Sequence, residues 1–225
     1  MTKAEQGQSE SQFNGVTLGI DFGTTNTVLS LASPDGTTAV LSVPKDGVDI
    51  TGYRSILCFW QDRETGQRTS ESGPWAMDAF VNAPHSTRML QSFKTFAAQK
   101  SFTDTPVYGK RFKFEDILET FLGSVAVRLG DKLPPKGNRV VVGRPVIFAG
   151  ASPDEELAMQ RYEKAFRAFG FTDIHYVYEP VAAAYFYAQE LKAESIVRFE
   201  VGAQGLSFTP LSQTGLGIAG DTFDY

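Results

Sequence analysis

The sequence predicts an α/β chain, and three observations carry that reading. It opens on a run of alternating apolar residues, Val16, Leu18, Ile20 and Phe22, followed by turn signals that fold it into an antiparallel meander. Its middle carries an apolar stripe at helical spacing. From Arg139 to Leu191 strand and helix patterns alternate, which requires a parallel element in the sheet. The 225 residues correspond to one large domain or two small ones. Apolar residues at 42% and charged residues at 21% are those of an ordinary globular chain, and they exclude wholesale disorder, a collagenous repeat and a coiled coil. With 18 Phe against 8 Tyr and 2 Trp, phenylalanine does much of the core filling.

In order along the chain, Val16 to Phe22 reads as a strand, a Gly-Thr-Thr-Asn turn follows, and Thr27 to Ala32 reads as its hairpin partner. Ser33-Pro34-Asp35-Gly36 is a second turn, and Thr38 to Val43 a third strand. Tyr53 to Trp60 is expected as one further strand, closed by the polar Gln61 to Gln67. Glu115 to Leu129 places Ile117, Leu118, Phe121, Leu122, Val125 and Leu129 on one helical face, with Gly130 as terminator. Arg139 to Phe148 is a buried strand in which Pro145 must stand at the end or at a bend. Ser152-Pro153-Asp154-Glu155 supplies the cap, first-turn proline and capping glutamate of a helix that Gly170 closes. Its apolar face is Ala158, Tyr162, Ala165, Phe166 and Phe169. Ile174 to Tyr178 is a strand, and Glu179-Pro180 opens a helix through about Leu191.

Charge and cysteine usage narrow the function classes. With 21 basic and 26 acidic residues the net charge is −5, and no Lys/Arg cluster runs along any segment, so nucleic acid is a poor partner. The longest uncharged stretch, Val201 to Gly220, is broken by Gly, Ser, Gln, Thr and Pro and is no membrane helix. Cys58 is the single cysteine; it sits in the apolar run Ile56 to Trp60, where a buried structural thiol and a reducing cytoplasm are expected. Met1 to Asn14 is rich in Gln, Ser and Glu, lacks an apolar core for a signal peptide, and reads as a floppy tail. His85 and His175 have no partners at metal-ligand spacing, and neither a nucleophile elbow nor a Walker-type loop is present.

One turn carries chemistry. Gly19-Ile20-Asp21-Phe22-Gly23-Thr24-Thr25-Asn26 puts a carboxylate at a strand end and two hydroxyl residues in a glycine turn. Backbone N–H groups and hydroxyls in such a turn can meet phosphate oxygens while the carboxylate holds a hydrated Mg²⁺. Composition alone leaves an ordinary hairpin turn, with Asp21 bonded to it, equally open. The string from Gly19 to Thr27 resembles the first phosphate motif of the actin-like ATPase superfamily, and in particular of the 70-kDa heat-shock chaperones. Glu179-Pro180-Val181-Ala182-Ala183-Ala184 resembles that family's second diagnostic segment, and Val141 to Val146 the strand bearing its interdomain switch proline. Order and approximate spacing agree across Val16 to Leu191, and the Gly-Arg-Pro wording is most similar to the divergent bacterial branch.

The resemblance implies a ribonuclease-H-like mixed sheet flanked by helices, with a small α/β insertion at about residues 43–138 of a lobe spanning 15–194. It implies ATP or ADP and Mg²⁺ as ligands, and unfolded protein clients or co-chaperones as partners. Asp21 would be a water-mediated Mg²⁺ ligand, and Gly23, Thr24, Thr25 and Asn26 would hold phosphate. Lys94, in Gln91 to Phe96, falls where the family's catalytic lysine sits, holding the γ-phosphate and attacking water by charge. Glu179 would complete the water and Mg²⁺ shell, and Pro145 with Arg144 would transmit nucleotide state. Each has a plainer reading: a solvated surface lysine for Lys94, a helix-start glutamate favoured by the macrodipole for Glu179, a strand-bounding proline for Pro145.

The sequence departs from the family after the Glu-Pro helix. The expected second phosphate loop, Asp-x-Gly-Gly-Gly-Thr-x-Asp, is replaced by Glu190 to Glu194 running into Ser195 to Glu200, and Gly217 to Asp224 resembles the family's next conserved stretch. Residues 195–225 are therefore expected to be the remnant of a following lobe, as after an internal excision and a C-terminal truncation, leaving the fold incomplete. A clamp with donors on one side only predicts low or no turnover. Exposed sheet edges predict marginal stability or self-association. A non-catalytic pseudo-ATPase or interaction module, and a sugar kinase of the same superfamily, are the alternatives.

Overall fold

The computed structural model describes residues 12–190, 196–202 and 205–211. The chain divides into two compact units, one built on Met1–Val142 and Ile147–Tyr176, the other on Gly143–Val146 and Val177–Tyr225.

The first unit is organised by a mixed sheet. Strand β1 (Thr17–Phe22) pairs antiparallel with β2 (Asn26–Ala32), from Thr17↔Ala32 to Phe22↔Thr27. On its other side β1 runs parallel to β12 (Val140–Arg144), with Leu18 opposite Val140 and Ile20 opposite Val142, as the alternation of strand and helix requires. β13 (Ile174–Tyr178) flanks β12, and β3 (Thr38–Val40) flanks β2, giving the order β13-β12-β1-β2-β3. Leu18, Ile20 and Phe22 are buried and Asp21 is exposed, as period-two alternation dictates. The chain packs from Phe13 onward: that side chain is 4% exposed although it falls in the stretch read as tail, and its carbonyl accepts from Val16 N–H.

Two helices cover the sheet. α2 (Phe114–Leu129) presents Ile117, Leu118, Phe121, Leu122, Val125 and Leu129 to the core and ends at Gly130, whose φ of 52° suits glycine. α3 (Glu155–Phe169) buries Ala158, Tyr162, Ala165 and Phe166, while Phe169 is half-buried against Phe171. Its cap corrects the sequence reading: Asp154, not Ser152, is the N-cap, and its carboxylate accepts the Leu157 N–H at 2.9 Å. Gly170 closes the helix at φ 112°. The ring of Phe22 lies 5.6, 6.1 and 6.0 Å from those of Phe93, Phe121 and Tyr162, so the last residue of β1 joins sheet and both helices in one aromatic core.

Two further readings need correction. The run Thr38 to Val43 is not one strand: β3 stops at Val40, and Val43 begins a separate hairpin, β4 (Val43–Lys45) with β5 (Val48–Ile50), turned by Asp46 and Gly47 at φ 51° and 80°. Nor is Tyr53 to Trp60 one strand. β6 (Tyr53–Arg54) pairs with β2, Ser55 turns inward, and β7 (Ile56–Gln61) joins β8 (Arg68–Ser72) and β9 (Thr87–Gln91) in a second sheet. Ser55 N–H donates to the Thr25 carbonyl and its hydroxyl bonds that of Thr27 at 2.9 Å, a break that apolar patterning cannot announce.

Helix α1 (Gly73–Asn82) covers the second sheet. Leu57 and Phe59 of β7 face the main core, and Ile56 and Cys58 join Ala76 of α1 in a smaller cluster. β10 (Thr105–Val107) and β11 (Lys110–Phe112) form a further hairpin. In the second unit, α4 (Glu179–Glu190) follows β13 directly, and β14 (Ile196–Gly202) pairs antiparallel with β15 (Gly205–Leu211). The Gly217 to Asp224 stretch lies outside the described residues. Among the described residues no helix is long and apolar enough to cross a membrane.

Candidate functional site

The turn between β1 and β2 is built from its glycine outward. Gly23 N–H donates to the Asn26 carbonyl at 2.9 Å, closing the turn, and a Cβ on Gly23 would stand 2.3 Å from that same oxygen. Only glycine permits the approach. Thr24, Thr25 and Asn26 are exposed at the tip. The tip is braced from below: the Thr25 carbonyl accepts Ser55 N–H at 2.8 Å, and Thr27 and Ser55 meet in a buried hydroxyl pair. Two exposed hydroxyl residues are thus held on a rigid base, the arrangement a phosphate site needs.

Asp21 stands exposed on β1, two residues before Gly23, while its neighbour Phe22 is fully buried on the opposite face. Lys94 reaches the same end of β1. It lies in a short 3-10 turn, Phe93–Phe96, entered through Ser92 in the left-handed region at φ 54°, and its ammonium sits 5.9 Å from the centre of the Phe22 ring. Phe93 is buried on Phe22 and Phe121, which fixes the start of this turn. The structure therefore gathers Asp21, Gly23 to Asn26 and Lys94 at one end of β1, although nearly 70 residues separate Lys94 from the turn.

The remaining predicted residues belong to the second unit. The Arg144 guanidinium lies 4.7 Å over the ring of Tyr178 and its Nε donates to the Pro145 carbonyl at 3.3 Å. Pro145 follows the last residue of β12, as its missing N–H requires, and Glu179, half-buried, opens α4 directly after Tyr178. Arg144, Pro145, Tyr178 and Glu179 form one group there. Sequence reasoning did not find Ser55 or Tyr178, because bracing hydroxyls and ring platforms have no motif.

Among the described residues no three of His, Cys, Asp and Glu gather as a metal site. A Mg²⁺ bound mainly through water and phosphate asks for only one or two carboxylates, and the exposed Asp21 beside the turn fits that demand. A groove of about 520 Å³, lined by Phe13, Gly15, Thr17, Asn138, Arg139 and Asp173, lies at the other end of β1. Two side-chain pairings cross it. Asn138 Nδ2 donates to the carbonyls of Phe13 and Val16, and Arg139 meets Asp173 at 3.0 Å, holding that carboxyl below its ordinary pKa.

No family model matches this chain. Among solved structures, a non-polymerising mutant of MamK bound to AMPPNP is similar at 13% identity and a TM-score of 0.43, over 88% of this chain and 49% of that one. The chain spans about half the length of the structure it matches.

Proposed function

We propose that the chain is an ATP-binding, nucleotide-binding-domain fragment of a heat-shock-70-type chaperone, in which the β1–β2 turn receives the phosphates. The observation that carries this reading is the turn itself: a glycine that no other residue can replace, two exposed threonines, and a carboxylate and an ammonium at the same strand end. In this reading Thr24 and Thr25 bind phosphate oxygens by hydroxyl and backbone, and Asn26 shapes the turn. Lys94 adds positive charge toward the γ-phosphate. Mg²⁺ would neutralise phosphate charge, and Asp21 would hold its hydration shell by hydrogen bonds. Arg144 and Pro145 pass nucleotide state onward. Hydrolysis is slow, because the sequence has one phosphate loop of the two that the family uses.

Unfolded clients or co-chaperones, a cytoplasmic setting and self-association through sheet edges belong to the same proposal. Calorimetric titration of Mg·ATP into the chain, with Asp21→Asn beside it, is the test. Saturable binding weakened roughly tenfold or more by the substitution is expected. A folded chain that takes up no Mg·ATP discards the reading and leaves a non-catalytic interaction module, whose partner binding is independent of nucleotide. Phosphoryl transfer that depends on added sugar replaces it with a kinase.

A further inference from the structure

The segment that carries Lys94 is held from α3 by one side chain. The half-buried guanidinium of Arg161 donates from Nη1 to the backbone carbonyls of Phe96 at 2.7 Å, Ala97 at 3.0 Å and Gln99 at 3.1 Å, and from Nη2 to that of Phe102 at 2.6 Å. Two Nη1 hydrogens serve three carbonyls, so at least one is shared. Four carbonyl dipoles converging on one point make a cage that only a delocalised, multi-donor cation fills; a lysine offers three donors from a single atom and no planar fork. The helix start adds a second attachment, about two turns away. Asp154 N–H donates to the Ala98 carbonyl at 2.9 Å, and the Asp154 carboxylate meets the Lys100 ammonium at 3.0 Å.

Upstream the segment is pinned by Phe93, fully buried among Phe22 and Phe121; downstream Phe96 and Phe102 stack at 4.4 Å, closing the loop whose carbonyls Arg161 collects. Lys94 stands between the aromatic pin and the guanidinium clamp. Its backbone carbonyl accepts Ala97 N–H at 3.1 Å, and the Ala97 carbonyl is in turn held by Arg161, so the clamp is two hydrogen bonds from the lysine's own main chain.

We propose that Arg161 is the positioning residue for Lys94: by fixing the backbone of residues 96–102 it sets where the ammonium stands at the end of β1. What that ammonium meets rests on the nucleotide reading above; the clamp itself does not. The test uses the full chain with Arg161→Lys and Arg161→Ala, each alone and combined with Lys94→Ala, and with thermal unfolding to verify that each variant folds. Labelling of Lys94 by an amine reagent, read by mass spectrometry without nucleotide, changes severalfold in rate in Arg161→Lys. Mg·ATP binding weakens roughly tenfold in Arg161→Lys. In the Lys94→Ala background the same substitution costs nothing further, because the clamp acts through the lysine.

A folded Arg161→Lys chain with unchanged Lys94 labelling overturns the proposal, as does equal loss of affinity in both backgrounds. If the unsubstituted chain takes up no Mg·ATP, the nucleotide reading fails and the labelling rate alone judges Arg161. If neither variant folds, hydrogen exchange on the unsubstituted chain decides. Amides 96–102 exchanging as fast as the exposed turn 62–67 overturn the clamp, and protection comparable to α3 supports it.

Discussion

The two compact units bury apolar side chains very differently. Every member of the main core cluster, from Leu18 to Phe171, belongs to the unit that carries the β1–β2 turn. In the other unit Ala184 is the one buried apolar side chain among those described, while Val146, Tyr178, Val181, Tyr185 and Phe186 are exposed. The contrast is sharpest between α3 and α4. α3 alternates apolar and charged residues around its circumference and buries a single stripe. α4, with Val181, Ala182, Ala183, Ala184, Tyr185 and Phe186 in succession, has the composition of a helix covered on several sides, yet exposes most of them. Apolar composition alone does not make a core; burial follows where facing surfaces exist to receive the side chains.

Two tyrosines test this directly. Tyr162 is fully buried, with the rings of Phe22, Phe114, Phe148 and Phe166 within 6.2 Å, and Tyr162→Ala is expected to destabilise the first unit by about 3–5 kcal/mol in denaturant unfolding. A loss near 1 kcal/mol would show that the aromatic core is looser than its geometry. Gly23→Ala comes next. The clash with the Asn26 carbonyl must be relieved by moving the turn, at about 1–3 kcal/mol, and Mg·ATP binding should fall with it. Retained affinity in that variant would remove the turn from the site.

A smaller effect concerns acid. The Leu157 N–H, then the Lys100 ammonium, holds the Asp154 carboxyl below its ordinary pKa. Its stabilisation is therefore fully present above the unfolded-chain value of about 3.9 and is lost as pH falls through the lowered folded value. Asp154→Asn should lower the melting temperature modestly at neutral pH, where the ionised carboxylate contributes, and flatten the acid limb of the profile in that window; an unchanged limb removes Asp154 from the acid response. The smallest effect is expected at Tyr185, which is 69% exposed on α4: Tyr185→Ala should shift stability by less than about 0.5 kcal/mol. A change as large as that of Tyr162→Ala would erase the contrast between the units.

Much of this architecture was legible from local pattern. Periodicity found β1, both covering helices and the face of α3, and glycine and proline placed the ends at Gly130, Pro145 and Gly170. The failures share one cause. The division at Ser55 and the pairing of β4 with β5 depend on which distant strand offers hydrogen bonds, and nothing in the one-dimensional sequence records that partner. The cap of α3 slipped by two residues because Ser152 and Asp154 are both competent caps. Asp154 holds the place because its own N–H is engaged by Ala98, 56 residues away. At the site, Asp21 and Gly23 were readable as a motif, whereas the hydroxyl brace of Ser55 and the guanidinium of Arg161 act on backbone carbonyls, which every residue has.

Cys58 gives the second sheet its own clock. The thiol is fully buried between β7 and α1, and burial pushes its pKa up, so little thiolate forms and none of it meets a solvent-borne reagent while the sheet is closed. Alkylation kinetics at this single sulfur therefore count the moments when α1 lifts from β7, a local event that melting of the whole chain averages away.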